Sequence, residues 1–407
     1  MRRTRVLVVD DSSFIRLAIS ESLSHDPDVE VVGTAANGRI ALARILELKP
    51  DVVTLDVDMP EMDGLTTLRE LRHIHPHLPV IMCSSLTEKG ASATLDALAM
   101  GATCYVTKPT KSSGMQESLL RLRNELLPKI KALGPHSVAE RRAYTISSHR
   151  MAEKAHLSRE AILAAQLINI TNGRASLLQD SVWGGSRSRS TNRIQSRATA
   201  KLTPKAHLPN QHGRIDIVVI GVSTGGPSAL ATLLPALPAS FPIPIAIVQH
   251  MPALFTKLVA ERLDNQSSLR VHEAKDGDIL APGGIWLAPG DQHMTLERSA
   301  SHCKVILNQN PPEHFCRPSV DVLFRSTVKA FGAHVLGVVL TGMGNDGTAG
   351  CKQIRENGGQ VIVQDAESSV VWGMPGSVAE LDLADAILPI GNIAREIVQR
   401  VSIHRNA

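Results

Sequence analysis

The sequence is short of aromatic residues, paired cysteines and long apolar runs, and each shortage excludes something. Aromatics make up 3% of the 407 residues, too few for the stacking platforms on which single-stranded nucleic acid is held. The cores must therefore be built from Val, Ile, Leu, Ala and Met. Cys83, Cys104, Cys303, Cys316 and Cys351 are scattered singly without a CxxC. Neither a disulfide framework nor a zinc site is expected from that pattern, and a reducing cytoplasm fits it. No apolar stretch approaches the roughly 20 residues that cross a bilayer, so no membrane insertion is expected. The opening MRRTRVLVVDD sets basic residues before an apolar run at 6–9. That run meets two acids at once, which predicts a strand rather than a leader.

What is present is ordinary globular material, 43% hydrophobic and 20% charged, enough for sizeable cores. The length suggests two or three domains. Between residues 181 and 206 stand Arg187, Arg189, Arg193, Arg197, Lys201 and Lys205 with no acid, among Ser and Gly. Such a stretch holds too little apolar surface to offset the entropy of ordering it. It reads as a solvated basic tether rather than a nucleic-acid patch, because no aromatic interleaves the basic residues. The expected division is a domain over 1–127, a flexible Ser/Arg-rich linker over 128–212 and a second domain over 213–403.

On both sides of the tether short apolar runs alternate with helical patterns. VLVV at 6–9, VEVVGTA at 29–35, DVVTLD at 51–56, PVIMCS at 79–84 and CYVTK at 104–108 predict a (βα)5 domain with a parallel sheet covered on both faces. IDIVVIG at 215–221, IPIAIVQ at 243–249, VLGVVLTG at 335–342, GQVIVQD at 359–365 and ADAILPI at 384–390 predict a second, doubly wound and mainly parallel α/β domain. Residues 268–300, broken by Gly/Pro turns, are expected to form an antiparallel extension.

Asp10 and Asp11 follow the first predicted strand and Asp56 closes the third. The carboxyl ends of parallel strands share one sheet edge, so the three acids should converge there. Adjacent carboxylates repel unless a hard divalent cation sits among them, and Mg²⁺ suits carboxylate and phosphate oxygens. Ser84 ends the fourth strand and Lys108 the fifth, on the same edge. With DVDMPEMDG after the third strand, this order resembles a response-regulator receiver domain. The resemblance implies phosphoryl transfer from a histidine kinase onto Asp56. It further implies Mg²⁺ held by Asp11, Asp56 and the backbone carbonyl of Asp58, with Asp10 beside them, and Ser84, Tyr105 and Lys108 as the switch residues. An acyl phosphate adds negative charge that Lys108 and Mg²⁺ would neutralise.

In the second domain the first strand runs into GVSTG at 221–225. Small residues in G-x-S-x-G permit a sharp strand-to-helix turn that exposes a serine oxygen. A phosphate loop is the alternative for any glycine-rich turn before a helix, but the spacing is neither G-x-G-x-x-G nor G-x-x-x-x-G-K. His250 follows IPIAIVQ and Asp346 follows VLGVVLTG, so Ser223, His250 and Asp346 all end parallel strands. The order Ser, His, Asp is not that of α/β-hydrolases, and triads recur by geometry rather than order.

GVSTGGPSAL, QHMP, HFCRPSVDVLF, LTGMGNDG and VVWGMPGSV resemble the catalytic domain of the chemotaxis protein-glutamate methylesterases and glutamine deamidases, the CheB family. That resemblance implies Ser223 as nucleophile, His250 as general base and acid, Asp346 as its orienter, and the Met343 backbone amide as an oxyanion donor, with no cofactor for the ester chemistry. The implied substrates are glutamate γ-methyl esters and glutamines of methyl-accepting chemoreceptors, hydrolysed by a cytoplasmic, phosphorylation-activated enzyme. Cys316 is the alternative nucleophile. A non-enzymatic output module sits badly with an intact Ser/His/Asp set, and a DNA-binding regulator with the absence of a helix-turn-helix pattern. No nucleic-acid partner is expected.

Overall fold

The computed structural model describes residues 2–85, 87–108, 115–135, 213–300 and 302–403. Most of the expected linker, 136–212, and with it the basic stretch, lies outside the described residues.

The N-terminal part is β1 (Thr4–Val9), α1 (Ser13–Ser24), β2 (Val29–Ala35), α2 (Gly38–Leu48), β3 (Val52–Asp56), α3 (Gly64–Ile74), β4 (Val80–Ser84), α4 (Glu88–Ala99), β5 (Cys104–Thr107) and α5 (Met115–Leu133). The five strands form one parallel sheet in the order β2-β1-β3-β4-β5. Alternate residues of a strand serve opposite faces. Val6, Val8, Ile81 and Cys83 pack with Ile19 and Leu23 of α1 and Leu126 and Ile130 of α5. Leu7, Val53, Leu55 and Met82 pack with Ile45 of α2, Leu71 of α3 and Leu95 of α4. The side chains of Asn37, Asp63 and Thr87 accept from the amides of Ile40, Thr66 and Gly90, capping α2, α3 and α4. Because α5 runs to Leu133, ordered chain continues past the boundary expected at 127.

The C-terminal part is β6 (Ile217–Val222), α6 (Gly226–Leu233), β7 (Ile245–Gln249), α7 (Ala253–Gln266), β8 (Arg270–Glu273), β9 (Gly284–Leu287), β10 (His293–Arg298), β11 (Cys303–Asn308), α8 (Val320–Phe331), β12 (Val335–Val339), α9 (Thr348–Glu356), β13 (Gln360–Gln364), α10 (Met374–Glu380), β14 (Ala386–Leu388) and α11 (Ile390–Ser402). Seven strands form a wholly parallel sheet, β14-β13-β12-β6-β7-β9-β8. One face carries Leu230 of α6, Phe255 of α7 and Ile397 of α11. The other carries Leu323 and Phe324 of α8, Ile354 of α9 and Val378 of α10.

The expected antiparallel extension over 268–300 is only partly present. β8 and β9 join the main sheet in parallel, and the antiparallel pair is β10 with β11. All four residues of β9 are buried, as befits a strand with neighbours on both sides, and the Gly/Pro turns that suggested a hairpin instead carry the crossover between β8 and β9. From β6 the chain first builds toward β7 and later returns to place β12 on the other side. This reversal puts the crevice of a doubly wound sheet at the carboxyl ends of β12, β6 and β7.

Candidate active site

Three neighbouring strands deliver the three predicted groups. β6 turns sharply after Val222 through Gly225, whose φ of 81° suits a residue without Cβ. The amide of Ser223 donates to Thr341 O (3.0 Å) and that of Gly226 to Ser223 O (2.8 Å), which fixes the elbow. β7 ends in Gln249, whose buried amide Nε2 donates to Ser223 O (3.0 Å) and His250 O (3.3 Å). Asp346 follows β12. The sequence reading did not single out Gln249 or Thr341, because their value lies in contacts across strands distant in the chain.

His250 Nε2 donates to Asp346 Oδ2 at 2.8 Å. Asp346 is almost wholly buried, yet it accepts from the backbone amides of Val320 (2.8 Å) and Asp321 (2.9 Å) and from Ser319 Oγ (2.9 Å). It thus caps α8 from across the sheet, where the amino end of a helix favours negative charge. Burial raises the Asp346 carboxyl, but His250 and these donors overcome it and hold the pKa below the usual carboxylate value. For His250, burial favours the neutral ring, whereas Asp346 and Cys316 outweigh it and lift the pKa to about 9. The pair is an ion pair at neutral pH.

The other imidazole nitrogen, Nδ1, lies 3.6 Å from Cys316 Sγ. No hydrogen bond joins Ser223 Oγ to His250 among the described residues, although both line one cavity of about 1030 Å³ with Cys316, Met343 and Asp346. The Met343 amide donates to no protein acceptor among the described residues. The same cavity is lined by Leu98, Tyr105, Asn124, Glu125 and Lys129 of the N-terminal part, so that part roofs the Ser223 edge. Around the roof, Arg262 of α7 donates to Asp96 of α4 at 2.7 Å. Ser228 of α6 reaches Leu98 O at 3.4 Å.

At the carboxyl edge of the N-terminal sheet, Lys108 Nζ lies 2.7 Å from both Asp10 Oδ2 and Asp56 Oδ1. Asp10, Asp11 and Asp56 each offer an oxygen within 4.8 Å of the others. Burial pushes the Asp56 carboxyl up to about 6, against the pull of Lys108 and with the help of Asp10. Clustered hard oxygen donors, two of them on the buried Asp10 and Asp56, suit a small divalent cation. Asp58 is exposed on the loop two residues beyond Asp56. The Ser84 hydroxyl does not face this cluster; it donates to Gly90 O at 2.9 Å. Tyr105 points at the other part of the chain, onto Phe255.

Residues 6–120 match the response regulator receiver domain family and residues 218–397 the CheB methylesterase family. A protein-glutamate methylesterase/protein-glutamine glutaminase of Trichodesmium erythraeum is 45% identical over 98% of this chain and 100% of its own length. The chain belongs to that family. A protein of the same name from a Nocardioides species is 44% identical over 98% of this chain and 96% of its own. The crystal structure of the Thermotoga maritima CheB methylesterase catalytic domain is 42% identical, with a TM-score of 0.45 over 46% of this chain and 99% of that one. The receiver domain and the methylesterase domain are therefore the two α/β sheets described above. No described helix is long and apolar enough to cross a membrane.

Proposed function

We propose that this chain hydrolyses glutamate γ-methyl esters, and deamidates glutamine, on the helices of chemoreceptors, and that phosphorylation of its receiver domain activates it. The observation that carries the reading is the His250–Asp346 pair opening into the cavity that Ser223 shares and the receiver roofs. Asp346 occupies Nε2, so Nδ1 is the nitrogen that serves as base. Ser223 Oγ attacks the ester carbon while its proton passes to Nδ1. The tetrahedral oxyanion is met by backbone amides, that of Met343 among them. As the C–O bond of the ester, or the C–N bond of glutamine, breaks, His250 gives the proton to the leaving oxygen or nitrogen, which departs as methanol or ammonia. Water adds to the acyl-enzyme by the same steps in reverse, which frees the glutamate carboxylate and restores Ser223. That no hydrogen bond joins Ser223 to His250 among the described residues suits a covered state, since catalytic hydrogen bonds often tighten only with substrate present.

The domain division proposed is a receiver, a linker and a methylesterase domain beginning near 213. In the receiver, Asp56 accepts the phosphoryl group from a histidine kinase. Asp11, Asp56 and the Asp58 carbonyl, with Asp10 beside them, would hold Mg²⁺, which supplies charge neutralisation for phosphoryl transfer. Lys108 neutralises the remainder. For Ser84 to donate to the new phosphate it must leave Gly90, and that shift of the β4–α4 loop is the event to which Tyr105 responds.

A second reading rests on Cys316 Sγ at 3.6 Å from Nδ1: a thiol nucleophile using the same base. Methanol release from methylated receptor membranes by Ser223→Ala and Cys316→Ala proteins separates the two. We expect the serine variant to be inactive and the cysteine variant active; the reverse result assigns the chemistry to Cys316.

A further inference from the structure

Phe315 is fully exposed, at 104% of its reference surface, and it lines the mouth of the cavity that holds Ser223 and His250. A ring exposed this fully forgoes the gain of burial, and, unlike the other exposed apolar side chains, its backbone is strained as well. His314 and Phe315 stand in succession at φ of 51° and 60°, a region that bulky residues rarely enter. The strain is held in place by unusual bracing. His314 Nε2 donates to the buried Asp321 at 2.9 Å, and Glu313 pairs with Arg325. Arg317 donates to Asp291 at 3.0 Å and to the carbonyls of Gln309 and Asn310. The Cys316 amide closes the turn on Glu313 O at 2.8 Å. Strain that the surroundings over-determine beside a reactive centre marks a functional constraint. Phe315 remains bare with the receiver in place, so the receiver is not what it serves.

Resting on the function proposed above, we infer that Phe315 is a fixed anchor for the substrate protein, inserting among apolar side chains of the amphipathic receptor helix that carries the modified glutamate. An aromatic on a braced loop binds with little loss of conformational freedom, as anchors at the centre of interfaces do. The helix laid against Phe315 would then present the side chain one or two turns away to Ser223.

The test compares Phe315→Ala and Phe315→Leu in the full-length protein. Two substrates are used, methylated receptor membranes and p-nitrophenyl acetate, which has no helix to hold. Phe315→Ala is expected to lower kcat/KM for receptor membranes by about 10–100-fold, the worth of one buried aromatic, mainly through KM. The effect on p-nitrophenyl acetate should be far smaller, the fold-activation by a phosphodonor should be preserved, and Phe315→Leu should recover part of the loss. Equal losses on both substrates, or no loss on membranes, overturn the anchor. Co-sedimentation with the membranes reads the anchor without turnover, and retention of Phe315→Ala equal to that of the unsubstituted protein overturns it too. Failure of the underlying functional reading looks different, since the unsubstituted enzyme itself would then release no methanol.

Discussion

Tyr105 of β5 and Phe255 of α7 stack with ring centroids 4.6 Å apart and planes 17° from parallel. One ring belongs to the receiver, on the strand β5 that leads to Lys108. The other lies in the methylesterase domain, five residues beyond His250. The contact joins the edge that would be phosphorylated to the edge that would hydrolyse, and Lys129 braces it by donating to Tyr105 O at 2.8 Å. α4 of the receiver also meets α6 and α7 of the methylesterase domain, where Ser228 reaches Leu98 O and Arg262 pairs with Asp96, so the receiver covers the cavity that Ser223 lines.

Tyr105→Ala should therefore raise basal methanol release by the unphosphorylated enzyme. An aromatic pair contributes about 0.5–1.5 kcal/mol beyond its area, which corresponds to roughly a 2–12-fold gain. A fragment beginning near residue 210, with no receiver to cover it, should exceed both. An unchanged or lower basal rate in Tyr105→Ala, together with a fragment no faster than the full-length protein, would exclude inhibition by covering.

Ser223→Ala should abolish ester hydrolysis without unfolding the protein, because a small hydroxyl on a turn contributes little to the core. Asp346→Asn should retain a trace of activity, roughly a thousandfold or more below the parent, since it holds His250 without reacting. It should also lose about 1–3 kcal/mol of stability, as both carboxylate oxygens accept amides of α8. Initial rates and urea denaturation of the two variants check both statements, and a stable Ser223→Ala protein with most of its activity would contradict the nucleophile assignment.

The pH dependence follows from His250. Only the neutral imidazole can take the serine proton, and its pKa stands at about 9. Protonation increases as pH falls, so the basal rate should drop about tenfold per pH unit well below 9 and level off above it. Hydrolysis of p-nitrophenyl acetate between about pH 6 and about pH 10 reads the curve. A plateau reached near neutrality would mean that the resting pair is not the ion pair described.

Asp56→Asn should block incorporation of labelled phosphate and remove stimulation by a phosphodonor, while basal ester hydrolysis continues. Chelating divalent cations with EDTA should do the same to the parent protein. The nucleophilic carboxylate, raised to about 6, protonates as pH falls, so labelling should weaken below that pH. Undiminished label on Asp56→Asn would move the acceptor to Asp10 or Asp11.

Much of this site was legible in the sequence because strand ends are. Ser223, His250 and Asp346 each follow an apolar run, and parallel strands bring their carboxyl ends to one edge whatever lies between. The supports were not legible. Gln249 and Thr341 act through hydrogen bonds to backbone carbonyls, and Ser319 through one to the Asp346 carboxylate, all across dozens of residues, and nothing local distinguishes them from polar residues at any strand or helix end. β8 and β9 misled for a related reason: pairing direction depends on where a short Gly/Pro-broken connection passes, which composition does not encode. The Ser84 hydroxyl, expected to meet a phosphate on Asp56, is held by Gly90 O, a backbone partner that no local pattern in the sequence marks.

The placement of the reactive groups on β6, β7 and β12 has a consequence for how the enzyme comes into being. Asp346 arrives only after most of the methylesterase domain has been synthesised, and β12 must insert beside β6 before the carboxylate can reach His250. Pairings this distant form late in folding, because closing long loops precedes their reward. A nascent or truncated chain that ends before β12 therefore has its serine and histidine but no carboxylate to orient the imidazole, so topology alone delays assembly of the full catalytic set.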